Sequence, residues 1–294
     1  MALLIRICFI GLVLLQSCGQ GDKAAQKATN AKAKAPKIVT LGGTITETVF
    51  ALGVGSQVAA VDISSYFPNE ATKLPQLGYV RTLNAEGVLS QKPDIILASS
   101  EAGPPEVVEQ LKKSAQFFLI DQVPTVEGTK KMIADLAEKL GKQQEGEALL
   151  SALQKDLEKA TATVERVKSK KVKVVFILAR GEGTLMVGGN NTKSSAIIEL
   201  SGGINAMQGF EGYKPLTAEA MVTANPEVIL VTTRSLVSLG GKEAVFKLPG
   251  IAQTPAGQSA KLIAVDDLLL LGFGPRLGQA VQELSSQLLI QATP

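Results

Sequence analysis

The sequence predicts an α/β protein of two similar Rossmann-like lobes, each a mainly parallel sheet covered by helices. One long helix joins them, and a ligand cleft lies between. Three observations carry this. Strand-like and helix-like segments alternate on both sides of the middle of the chain. A single long amphipathic segment separates the two runs. One turn–helix–strand unit occurs once in each run.

In chain order, MALLIRICFIGLVLLQSC sets Arg6 ahead of an apolar run, Ile7 to Leu15, too short to span a membrane as a mature helix. Residues 1–18 read as a signal peptide. Its last four residues, Leu15-Gln16-Ser17-Cys18, resemble a bacterial lipoprotein cleavage box, in which Cys18 becomes the lipidated first residue. The plain alternative is an ordinary signal peptide with a chance cysteine. Cleavage discards Cys8, so an exported chain without disulfides depends on core burial. The expected location is periplasmic or otherwise extracytoplasmic, anchored to the membrane by lipidated Cys18. Residues 19–36 lack apolar periodicity and read as a flexible tether with a reach of roughly 25 Å.

The first lobe spans 37–141. KIVTL (37–41), VAAVD (58–62), DIILAS (94–99) and FFLID (117–121) read as strands, with a helix over about 104–115. A helix follows the first strand; Thr44 and Glu47 stand at capping-box spacing and Gly53 suits its stop. The Gly42-Gly43 pair ahead of it serves either capping or an anion cradle. The connecting helix, 142–170, carries Leu149, Leu153, Leu157, Ala160, Val164 and Val167 on one face and is expected to run about 24 residues. The second lobe, 171–294, has strands at 172–179, 228–233 and 262–267, a helix at 194–203 and a closing amphipathic helix. At an offset of 133, Leu83, Ala85, Glu86, Pro93, Ile96 and Leu97 match Leu216, Ala218, Glu219, Pro226, Ile229 and Leu230. That period is too long for a solenoid and fits two similar lobes.

Hydrophobic residues make up 45% of the 294 and charged residues 19%, enough for real cores. The absence of histidine excludes a Ser-His-Asp triad and an HExxH zinc helix. The net charge of +3 comes from the N-terminal 37 residues; beyond them 24 basic residues face 26 acidic ones, net −2. A near-neutral folded part argues against nucleic acid as a partner.

IVTLGGTITETVFALG, VAAVDISSYFPNEATKLPQLGYVRTLNAEGVLSQKPDIIL, MVGGNNT, LPGIAQTPAG and DDLLLLGFGPR together resemble the substrate-binding proteins of bacterial ABC importers whose lobes are joined by one long helix. Within these the chain is most similar to the periplasmic haem-binding proteins. GYVRTLNAEGVLS and LLGFGPR carry the haem part of the resemblance.

The resemblance implies that Tyr79 ligates the iron of ferric haem b, the transported ligand. A phenolate is a hard donor suited to ferric iron, and tyrosine is an established axial ligand. A phenol ionises near pH 10, so a guanidinium beside it would help. Arg81, Arg234 and Arg276 are the candidates, and the family comparison favours Arg234. Arg276 could instead pair with a propionate. Tyr213 either stacks on the porphyrin or packs in its lobe, and Met186, in a glycine-flanked loop, either approaches a haem face or fills a gap. Tyr66 reads as a turn residue. Without a histidine, one haem per protein is the default. Glu86 and Glu219 match the acids that dock on an ABC permease dimer with its ATPase; they also suit the first turn of a helix. The protein is expected to be a monomer and not an enzyme. A corrinoid or ferric-siderophore carrier is the alternative in the same class. An enzyme using Asp266 or Asp267, and a purely structural lipoprotein, are the alternatives outside it.

Overall fold

The computed structural model describes residues 35–180 and 184–292. The signal peptide, Cys18 and the tether to residue 34 lie outside the described residues. The first sheet holds β1 Ile38–Leu41, β2 Val58–Val61, β3 Ile95–Ser99 and β4 Gln116–Ile120, all parallel, in the order β2-β1-β3-β4. β1 is buried along its whole length, as a parallel strand covered on both faces should be. Helices α1 Gly43–Ala51, α2 Ala85–Leu89, α3 Pro105–Ser114 and α4 Val126–Lys139 accompany it.

Helix α4 is absent from the sequence reading. It buries Met132, Ile133, Leu136 and Ala137 at helical spacing, and its cap Thr125 accepts from the Gly128 N–H at 2.9 Å. Gly128 and two adjacent lysines in the first turns obscure that pattern. The capping box read at Thr44 and Glu47 is also corrected. The N-cap of α1 is Gly42, with φ 119° and no side-chain cap, and both Thr44 and Glu47 reach the other lobe.

Helix α5, Gln143–Lys170, has 28 residues rather than about 24. Leu153, Ala160, Val164 and Val167 of the anticipated stripe are buried. Its two neighbours approach it closely. A Cβ on Gly146 would lie 2.6 Å from that of Ala137 in α4. Near its middle, a Cβ on Gly278 would lie 2.6 Å from that of Asp156. Gly278 lies in the closing helix.

The second sheet comprises β5 Lys173–Arg180, β6 Thr184–Gly188, β7 Ile204–Asn205, β8 Tyr213–Pro215, β9 Val228–Thr232 and β10 Leu262–Val265. Its order is β10-β9-β5-β6-β8, with β7 also paired to β5. β10, β9, β5 and β7 run parallel, whereas β6 and β8 add an antiparallel edge. Met186 therefore lies in a strand, opposite Leu178 and Pro215, and not in a loop. Glycines on both sides of a five-residue strand concealed it. Helices α6 Lys193–Leu200, α7 Ala218–Ala224, α8 Thr233–Ser238, α9 Lys242–Phe246, α10 Pro255–Gln258, α11 Asp267–Leu271 and α12 Leu277–Gln291 complete the lobe.

The repeated unit agrees in detail. Asn84 caps α2 by accepting from Gly87 N–H at 3.0 Å, and Thr217 caps α7 by accepting from Ala220 N–H at 3.1 Å. Each helix is followed by a left-handed residue, Lys92 at φ 50° and Asn225 at φ 47°, just before the matched proline. Asp94 and Glu227 then accept from the backbone N–H that opens the central strand of each sheet, Lys37 at 2.7 Å and Lys173 at 2.8 Å. The repeat is thus a strand-anchoring device, in which Asp94 and Glu227, also 133 positions apart, play the same part.

One apolar core runs through both lobes. It takes in Ile38, Ile45 and Leu97 from the first, Leu153 and Val164 from α5, and Phe176, Leu230 and Leu284 from the second. A separate cluster fills the opposite face of each sheet.

Candidate ligand-binding cleft

The lobes face each other across the carboxyl ends of their parallel strands, where open α/β sheets bind ligands. The N-terminus of α1 follows β1, Ser64 and Tyr66 follow β2, Ser99 and Glu101 lie at the end of β3, and Gln122 follows β4. Tyr79 and Val80 come from the turn before α2. The second lobe contributes Lys193, Arg234, Asp267, Leu268, Leu271 and Gly272. Together they line an open cavity of about 230 Å³. Ligand pockets usually measure about 300–1,000 Å³, so this cavity is small for one.

Its floor is internally saturated. Asp62 is fully buried and accepts from the Gly42 N–H at 2.8 Å, the Ser64 N–H at 3.0 Å, and the Ser64 and Ser65 hydroxyls at 2.6 Å each. Gly43 N–H donates to the Ser64 hydroxyl at 2.9 Å. The donors of the Gly-Gly turn therefore serve the chain's own carboxylate and serine.

The protein has three tyrosines, and the structure separates them sharply. The Tyr66 hydroxyl accepts from the Leu268 N–H at 2.7 Å and donates to Asp266 at 3.4 Å, tying the lobes together. The Arg234 guanidinium lies 4.2 Å from its ring centroid. Burial, with Asp266 adding to it, pushes the Tyr66 phenol well above its usual range, so it remains protonated. The Tyr213 hydroxyl lies 3.4 Å from the Ser194 hydroxyl, and its ring meets Phe176 edge-on at 6.5 Å. Tyr79 is half-buried against the cavity, and its hydroxyl has no hydrogen-bond partner among the described residues. Tyr66 is thus an interlobe tie and not merely the turn residue its sequence context predicts. Its contacts are with residues some 200 positions later, invisible to local patterning.

The candidate arginines also part company. Arg81 donates to Glu101, which raises its pKa above the usual guanidinium value, and it lies near enough to Tyr79 and Tyr213 for both to favour its charge. Burial pushes the Glu101 carboxyl up, but Lys193 and Arg81 outweigh it and hold it below the usual glutamate value. Arg234 lines the cavity with its guanidinium over Tyr66 and its N–H donating to Asp267 at 3.2 Å. Arg276 does not line the cavity. It makes a bidentate pair with Glu47, at 2.8 and 2.9 Å, and stacks over Phe67 at 3.6 Å. Met186, Tyr213 and Arg81 are not among the cavity-lining residues either; Arg81 reaches the cavity's edge through Glu101.

The LLGFGPR segment is the seam between the lobes. Thr44 donates to Gly272 O at 2.9 Å, Thr129 donates to Phe273 O at 3.0 Å, and a Cβ on Gly274 would lie 3.0 Å from the Thr44 methyl. Asp266 caps α11 through the Leu269 N–H at 2.9 Å, and Asp267 accepts from the second-lobe backbone and Thr233. Both acids thus have structural partners. Glu86 and Glu219 are exposed in the first turns of α2 and α7, without an ion pair among the described residues.

Two similar lobes, one spanning helix and a cleft at the strand ends define a substrate-binding protein of the importer type. The periplasmic binding protein family model matches residues 38–268, and the chain belongs to that family. The family is one of extracytoplasmic binding proteins rather than enzymes. The periplasmic heme-binding protein RhuT of Roseiflexus sp. RS-1, in its apo form, is 38% identical, over 88% of this chain and 99% of that one, with a TM-score of 0.85. The ABC transporter substrate-binding lipoprotein YvrC of Bacillus subtilis is 28% identical over 270 residues, 91% of this chain and 84% of its own length. The vitamin B12-binding protein of Pectobacterium carotovorum is 25% identical over 261 residues, 88% of this chain and 91% of its own length.

Proposed function

We propose that this chain captures ferric haem between its lobes through Tyr79 and delivers it to an ABC importer. The observation that carries this reading is the Tyr79 hydroxyl. It is the one tyrosine hydroxyl without a hydrogen-bond partner among the described residues, and it stands at the cleft beside Arg81. A phenolate on iron needs an unengaged oxygen and a neighbouring cation. The likeness to RhuT supports haem as the cargo. Arg81 supports the phenolate, and Arg234 is released from Tyr66 as the lobes part. The cavity of about 230 Å³ is smaller than usual ligand pockets, so the lobes part further as a porphyrin enters. Glu86 and Glu219, one at the tip of each lobe, dock on the two halves of a permease dimer. Cys18 carries the lipid anchor, a reading supported by the likeness to the lipoprotein YvrC.

The test is the visible spectrum of the mature protein with ferric haem, native and Tyr79→Phe. The native protein should give a five-coordinate ferric phenolate spectrum that the substitution abolishes. An unaltered spectrum in Tyr79→Phe sinks the ligand assignment. The vitamin B12-binding relatives favour a second reading, a corrinoid carrier. A corrinoid brings its own cobalt ligands, so on that reading cobalamin binds both forms equally and haem binds neither.

A further inference from the structure

At the mouth of the cleft one carboxylate is held by two cations from opposite lobes. Glu101, just beyond β3, accepts from Arg81 with Oε2, while its Oε1 lies 3.4 Å from Lys193 Nζ. Arg81 belongs to the Tyr79 turn of the first lobe, and Lys193 opens α6 in the second. Tyr79, Glu101 and Lys193 line the same cavity.

This bridge differs in kind from the pair that Arg276 and Glu47 form between the lobes. Arg276 and Glu47 are joined by two parallel bonds, and the Glu47 side chain is only 5% exposed. Glu101 meets Lys193 across the lobes by one contact of 3.4 Å, with side chains 39% and 25% exposed, and takes one bond from Arg81 of its own lobe, 43% exposed. Exposed single-contact pairs contribute little net stability and exchange readily. A guanidinium fork is built to hold a carboxylate with two bonds, and Arg81 uses one. The ammonium of Lys193 has three donors and stands off at 3.4 Å. Neither cation is saturated by Glu101. Without Glu101, two like charges from opposite lobes would face each other in the cleft.

We propose that Arg81 and Lys193 form a receptor for a carboxylate of the ligand, and that Glu101 is the placeholder filling it while the cleft is empty. The proposal rests on the haem reading, since haem brings two propionate carboxylates. A ligand carboxylate takes over the two cations, Glu101 swings to solvent, and the lobes close on cargo instead of on themselves. A corrinoid, whose peripheral acids are amides, cannot displace Glu101 this way. The pair would therefore select porphyrin diacids, separately from the iron ligand.

The experiment titrates native, Lys193→Gln and Glu101→Gln mature protein with ferric protoporphyrin IX and with its dimethyl ester, reading affinity and the phenolate spectrum. Native protein should bind the diacid about tenfold tighter than the diester, as a charge-assisted contact implies. Lys193→Gln should bring that ratio close to one and leave the spectrum and the diester affinity unchanged. Glu101→Gln should tighten diacid binding several-fold by removing the competitor. An unchanged ratio in Lys193→Gln overturns the receptor, and weaker diacid binding in Glu101→Gln overturns the placeholder. If native protein binds neither porphyrin, the haem reading itself fails and takes this one with it. A normal phenolate spectrum with an unchanged ratio fails only the receptor.

Discussion

Arg276 offers the sharpest test of how the lobes are held. Replacing it by methionine leaves Glu47, 4% exposed within α1, as a buried carboxylate without its partner. Removing one member of a buried, hydrogen-bonded pair costs about 3–5 kcal/mol. The guanidinium also loses its place over Phe67 at 3.6 Å. Because Phe67 is 38% exposed, that contact adds only about 0.5–1 kcal/mol. The expected loss is then about 5 kcal/mol. For a folded part of this size each kcal/mol moves the melting temperature by about 2–4 °C, so calorimetry should show a drop of roughly 10–20 °C. The double variant Glu47→Met, Arg276→Met buries no charge and should regain most of it. Haem titration of Arg276→Met should still give the native phenolate spectrum, because the side chain serves the seam. A melting point within about 3 °C of native, or a double variant as unstable as the single one, refutes the argument.

Three further outcomes are expected. Gly278→Leu forces a side chain against α5 where Asp156 already approaches, and should cost about 1–3 kcal/mol by chemical denaturation. Glu101 has a lowered folded pKa, so its contribution to lobe closure is complete above the ordinary glutamate value of 4.5 and fades as the pH falls toward the lowered one; an interlobe distance measured by spin labels or fluorescence should lengthen across that acidic window and stay constant between pH 6 and 8. Charge reversal at both Glu86 and Glu219 should leave haem binding intact and reduce stimulation of the importer's ATPase; unimpaired stimulation removes their docking role.

Much of the scaffold was written in local pattern. β1, β3 and β9 are mostly apolar because both faces of each sheet are covered, and the stripe of α5 from Leu149 to Val167 repeats over about five turns. The repeat at 133 residues marked a unit whose caps and left-handed residues match one for one. Helix α4 and strand β6 were hidden by Gly128 and by flanking glycines, where propensity and tertiary packing disagree. The cleft was legible only in part. Tyr79 stood out because tyrosine is scarce and the resemblance pointed to it. The pairings Tyr66 with Leu268, Arg276 with Glu47, and Glu101 with Lys193 join residues 92 to 229 positions apart, and no periodicity encodes them. LLGFGPR likewise reads as a motif whichever surface it serves; only its contacts with Thr44 and Thr129 assign it to the seam.

The shared core has a mechanical consequence. Ile38 and Leu284 belong to one apolar body continued through α5, so the two lobes are not separate solids on a loose strap. Widening the cleft flexes that body, and its resistance grows with the gap. A short parting at the mouth breaks only exposed, weakly held contacts such as Glu101 with Lys193, whereas a wide one must disturb Arg276, Phe273 and the packing beneath them. The molecule is thus built as a spring clip, soft over its first ångströms of parting and stiff beyond them.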